Sequence, residues 1–155
     1  MGVALSVFVV NGDVRADTDA FEPDFVFRFT SCLTTAASFG EPDPARKGFG
    51  EDNPKGHSTM CRRTATKKVL DCVTFFDEGG KPARYEMRIK TEMSQMITVE
   101  TDGGADYVIA NPVTGRVAST TRILTSNILA TKLCYGDFLT GDEFRALTRK
   151  QPPKR

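Results

Sequence analysis

Tryptophan is absent from this chain of 155 residues, and histidine occurs once, at His57. Neither His57 nor any cysteine pair has the spacing of a zinc motif, and no Cys-x-x-Cys occurs, so thioredoxin-like redox chemistry has no local signature. There is no Gly-x-Ser-x-Gly elbow and no Gly-Lys-Ser/Thr phosphate loop. The apolar runs fall well short of the roughly 20 residues a membrane helix needs. Charge of one sign is also missing: 21 Lys and Arg face 20 Asp and Glu, for a net charge of +1. That balance gives no global pull toward nucleic acid or an anionic membrane. These absences leave no metal, no cofactor, no nucleic acid and no transmembrane segment to expect.

What is present is a globular composition. Hydrophobic residues make up 39% and charged residues 26%, with 11 Phe carrying most of the aromatic volume. A chain of this length buries roughly 70% of its unfolded surface, enough for one core.

The first 16 residues carry an apolar block, Gly2 to Val10, then the breaker Asn11-Gly12 and Val14-Arg15-Ala16. A short apolar stretch with a small-x-small end fits a secretory signal cleaved before Asp17. The competing reading is a first strand, since Val3, Leu5, Val7 and Val9 alternate and Asn-Gly favours a hairpin. The acidic return segment Asp13 to Asp24 makes a poor partner strand, and the signal is favoured. Export makes the even set Cys32, Cys61, Cys72 and Cys134 two disulfides. In a cytoplasmic chain the same four would be small buried hydrophobes. Four cysteines allow three connectivities. Cys61 and Cys72 fall opposite each other if the chain reverses at Thr66-Lys67, which leaves Cys32 for Cys134. Cys32–Cys61 with Cys72–Cys134 is the nearest rival.

The stretch from Pro23 to Phe39 fits two templates. Phe25, Phe27 and Phe29 alternate as in a strand, whereas Phe21, Phe25, Phe29 and Leu33 recur at helical spacing. Its length favours an N-terminal helix over 23–39. Residues 40–58 hold Pro42, Pro44, Pro54 and several glycines and read as a long flexible loop. From Thr59 the pattern changes to seven short β runs at 8–12-residue spacing. The clearest is Ala83 to Glu92, with Tyr85, Met87 and Ile89 on one face and Glu86, Arg88 and Lys90 on the other. The last element is a helix whose start, Leu139-Thr140-Gly-Asp-Glu143-Phe144, combines a capping box with a hydrophobic staple.

The expected fold is therefore α+β and mainly β. It is an antiparallel meander of about six to seven strands, or a partly open barrel, with an N-terminal helix and a short capped C-terminal one. The chain forms a single domain over 17–155.

Few residues carry chemistry. His57, between Gly56 and Ser58, is the one imidazole any acid–base step would have to use. Arg62, Arg63, Lys67 and Lys68 cluster on a hairpin, suited to phosphate or an acidic partner, or to a solvated strand edge. Asp102 and Asp106 lack the further ligands of a calcium loop and read as a turn. The basic tail Arg149, Lys150, Lys154 and Arg155 reads as a solvated end. Asp102 to Tyr107 resembles, over six residues only, the strand start of secreted lysozyme-inhibitor barrels, too short a stretch to assign a family.

The function expected is that of an exported, periplasmic or secreted, non-catalytic module of bacterial style that binds or inhibits another protein. The alternative is a carrier of small apolar ligands with a pocket at Phe75, Tyr85, Ile89, Tyr107 and Ile109. An enzyme built on His57 comes third.

Overall fold

In the computed structural model the described residues are 21–38, 49–52, 56–77, 79–124 and 128–149. The signal-like segment 1–16 lies outside them. The chain order is β1 (Phe25–Ser38), β2 (Phe49–Asp52), β3 (His57–Arg63), β4 (Val69–Phe76), β5 (Ala83–Met93), β6 (Met96–Thr101), β7 (Asp106–Asn111), β8 (Arg116–Leu124), β9 (Ile128–Thr140) and helix α1 (Gly141–Arg149). All pairings are antiparallel. The strands from β3 to β9 neighbour one another in chain order, and β1 pairs with both β3 and β9, closing an eight-stave barrel. β2 continues the β3 stave, pairing with β1 over Cys32 to Thr35 on the edge opposite β9.

Two expectations need correction. Residues 23–39 do not form a helix: Phe25–Ser38 is the 14-residue strand β1. Its length reflects its position at the barrel seam, where it meets β9 along its whole course and β3, then β2, on the other edge. A bulge at Thr30, between the Phe29 and Ser31 registers, inserts one extra residue and shifts the alternation. Phe25, Phe27 and Phe29 face inward below the bulge and Cys32 above it, so one strand carries two phases of period 2. The helical spacing of Phe21, Phe25, Phe29 and Leu33 marks no common face: Phe25 and Phe29 lie inside, Leu33 is exposed and Phe21 joins the outer cluster. The barrel is also closed, with eight staves, where a meander of about six to seven strands or a partly open barrel was expected. The seven runs from Thr59 onward all form strands, and the missing stave is the segment read as a helix. Within 40–58, Phe49–Asp52 forms β2 and His57 opens β3. Residues 40–48 and 53–55 lie outside the described set.

Alternation gives every stave an inward face, and on β9, β1, β3 and β4 the outward face is apolar as well. Inward lie Phe25, Phe27, Phe29, Leu70, Met87, Ile89, Ile97, Val99, Val108, Val117 and Phe138, all buried. The rings of Phe27 and Phe138 pack at 5.7 Å, and Phe25 joins them at 6.0 Å from Phe138. Outward, the ladder Leu139–Val26–Met60–Val73 crosses β9, β1, β3 and β4. It is covered by Phe21, Phe75 and Phe144 and forms a second apolar cluster. This burial holds α1 against the wall. Its start has the expected capping box: the Glu143 carboxylate accepts from Thr140 N at 2.8 Å, and Thr140 Oγ1 accepts from Glu143 N at 3.3 Å.

Gly136 sets how closely the seam can pack. It faces β1 beside the Thr30 bulge, and a Cβ there would lie 1.7 Å from the Arg28 carbonyl oxygen. Only a residue without a side chain lets β1 bend over β9 at this level. No helix among the described residues is long and apolar enough to cross a membrane. The outward residues Arg84, Glu86, Arg88 and Lys90 of β5 are charged and exposed while the interior is apolar. A membrane-spanning barrel needs the reverse.

Candidate functional site

Two features stand apart from the packed core: a polar end of the barrel around His57, and an apolar strip on the outer wall.

The polar end follows from the rungs of the ladder. Phe25, Cys61, Cys72 and Tyr85 form one inward rung across β1, β3, β4 and β5. Phe27, Thr59 and Thr74 form the next, and Phe29, His57 and Phe76 the one above. The middle rung thus carries hydroxyls, and the upper one sets an imidazole between two phenyl rings. The hydroxyls of Thr59 and Thr74 lie 2.6 Å apart, and that of Tyr85 lies 2.8 Å from Thr74 Oγ1. This closed network satisfies the buried polar groups below His57. The imidazole is held between two rings, 4.8 Å from Phe29 and 6.1 Å from Phe76. Burial lowers its pKa from the ordinary value of 6.5, and Lys132 pushes the same way, while Asp77 and Asp106 oppose both. His57 is thereby biased toward the neutral ring at neutral pH.

The cysteines form two cross-strand disulfides, Cys32–Cys134 and Cys61–Cys72, each with Cα atoms 4.1 Å apart. Both join directly opposed residues in their ladders. This is the pairing that a reversal near Thr66-Lys67 favours. Cys61–Cys72 is fully buried in the lower core. Cys32–Cys134 lies higher, and its two sulfurs and a ring nitrogen of His57 all fall within 4.8 Å of one another.

The other sequence candidates do not assemble into one site. Arg62 forks onto Asp71, with Nη2 at 2.9 Å, and stacks on Phe21 at 4.8 Å from the ring centroid. Arg63 pairs with Glu92 and lies 4.9 Å over Phe25. Both arginines serve as lids on aromatic rings at the lower end, with their charge already matched. Lys67 and Lys68 stay exposed at the β3–β4 turn, away from His57 at the opposite end of β3. Asp102 is exposed in the β6–β7 turn with Gly103 and Gly104 at positive φ, as a hairpin requires. The residues assigned to a carrier pocket divide between two faces. Tyr85 and Ile89 join the interior cluster, Phe75 joins the outer one, and Ile109 is 44% exposed.

The outer strip was not anticipated. Outward rungs run Ile109–Ala118–Tyr135 and Tyr107–Thr120–Leu133–Leu33 across β7, β8, β9 and β1. Tyr135 is 54% exposed and Leu33 37%. The Arg116–Asp137 ion pair at 3.0 Å borders the strip on one side and exposed Arg122 on the other. The signal was there in the composition: Tyr107, Val108, Ile109 and Ala110 are apolar on both faces, which a strand wet on one side does not need.

No protein-family model, curated protein or solved structure matches the chain.

Proposed function

We propose that the chain is an exported, non-catalytic module that binds, and by binding inhibits, another protein through the outer wall of β7, β8, β9 and β1. The observation that carries this reading is the strip of Leu33, Leu133, Tyr135, Ile109 and Tyr107, exposed or half-exposed and bordered by Arg116–Asp137 and Arg122. An apolar band with a polar border, rich in tyrosine, has the composition of a protein interface core and rim. The two disulfides are compatible with an oxidising, exported location. A small barrel that keeps its interior filled offers its surface for recognition. The carrier reading has less support, because side chains occupy the barrel from Phe25 up to the Thr59–Thr74–Tyr85 network. Catalysis by His57 has less still, since the inward thiols near it are bridged to each other.

A photo-crosslinking residue placed at Tyr135, and separately at exposed Glu86 on the far wall, tests the proposal in the producing cells. The expected outcome is a discrete protein adduct from position 135 that is absent from 86. The introduction of Asp at Tyr135 and Arg at Ile109 should abolish partner binding while shifting stability by no more than about 0.5 kcal/mol. Equal crosslinking from both positions overturns the assignment of the surface.

A further inference from the structure

We propose that Cys32, Cys134 and His57 form a redox-gated site for a soft divalent metal ion of the zinc class, closed while the bridge is oxidised and open when it is reduced. Two thiolates and an imidazole are a donor set that zinc takes with a fourth position left to water. Their donor atoms already lie within 4.8 Å of one another. The geometry does not depend on the S–S bond. Cys32 and Cys134 are opposed within a ladder that runs through Ser31–Tyr135 below and Leu33–Leu133 above. Strand pairing therefore keeps their backbones together after reduction. His57 is fixed separately, by its rung with Phe29 and Phe76 and by the two ring contacts. Asp77 and Asp106 act on the imidazole electrostatically in the sense that attracts a cation, with Lys132 opposing them. The second bridge provides the contrast: Cys61–Cys72 is equally opposed, but no histidine joins it among the described residues.

The chemistry balances with a dithiol as reductant. It delivers two electrons and two protons to the Cys32–Cys134 bridge and closes its own disulfide. On binding, the metal ion displaces one proton from each thiol and takes the lone pair of one imidazole nitrogen, so two protons leave per ion bound.

The test is a titration with cobalt(II) under anaerobic conditions, on full-length protein before and after reduction, followed by absorption and circular dichroism. Reduced protein should take up one ion with a thiolate-to-cobalt charge-transfer band, and oxidised protein should show none. His57→Gln should weaken that binding at least about tenfold. Cys61→Ala/Cys72→Ala should leave it intact, and His57→Gln decides alone should that double variant not fold. The proposal is overturned by a reduced, folded barrel that shows no such band, or by equal affinity in His57→Gln. A reduced chain that loses its β spectrum and does not regain it with cobalt overturns it as well.

Discussion

Removing the Cys32–Cys134 bridge should cost more stability than removing Cys61–Cys72. The comparison is cleanest as paired alanine variants, Cys32→Ala/Cys134→Ala against Cys61→Ala/Cys72→Ala, which leave no unpaired thiol. The first bridge spans a sequence separation of 102 and the second only 11. On the chain-entropy model the long loop contributes about 4.7 kcal/mol and the short one about 2.8 kcal/mol. The short loop lies inside the long one, so an intact Cys61–Cys72 bridge shortens the long loop slightly, a logarithmic correction of about 0.1 kcal/mol. The native-state term works the other way. Cys61 and Cys72 are fully buried, whereas Cys32 retains 8% exposure. Truncation deep in the core therefore costs somewhat more at the short bridge. The net gap should be about 1–2 kcal/mol, or a few degrees in Tm at this chain length. Calorimetry, with urea unfolding followed by circular dichroism, reads both variants. A Cys61→Ala/Cys72→Ala protein that is as destabilised as the other, or more so, refutes the reasoning.

Three further outcomes follow from single residues. His57 has a folded pKa below its ordinary 6.5, mainly through burial, so the unfolded chain binds the extra proton more readily. Its contribution to stability is full above the unfolded pKa and is lost as pH falls through the folded one. Between about pH 7.5 and about pH 5, Tm should therefore fall further in wild type than in His57→Gln. Parallel curves would remove the burial argument. Gly136→Ala places a Cβ 1.7 Å from the Arg28 carbonyl oxygen, a clash of the new methyl with the neighbouring backbone, and should cost about 3 kcal/mol or more. Gly103→Ala, at φ +82° with open space around it, should cost about 1–2 kcal/mol by denaturant titration.

The parts of the fold visible in the sequence were those governed by local rules. Alternation along Ala83 to Glu92 assigned both faces of β5 correctly because charged residues marked the wet side. The Thr140–Glu143 box and the Leu139 and Phe144 pair located α1 because capping involves residues only a few positions apart. β1 was misread because its 14 residues exceed an ordinary strand, and the seam that calls for that length forms with β9, at a sequence separation of 102 between Cys32 and Cys134. The approach of His57 to the Cys32–Cys134 bridge was hidden for the same reason: it exists only through the closure of β1 onto β9. The outward placement of Tyr107 and Ile109 was not legible because β7 is apolar on both sides, and alternation alone does not say which side is in. The ion pairs of Arg62 and Arg63 were not legible because Asp71 and Glu92 come from other strands.

Closure of the barrel at the β1–β9 seam, bolted by Cys32–Cys134, underlies the outer strip, the His57 site and the stability ranking alike. The direct measurement is peptide mapping without reduction, on native protein isolated with its free thiols blocked. The account predicts one peptide pair joining Cys32 to Cys134, a second joining Cys61 to Cys72, and no alkylated cysteine. A peptide joining Cys72 to Cys134, or four alkylated thiols, would contradict it.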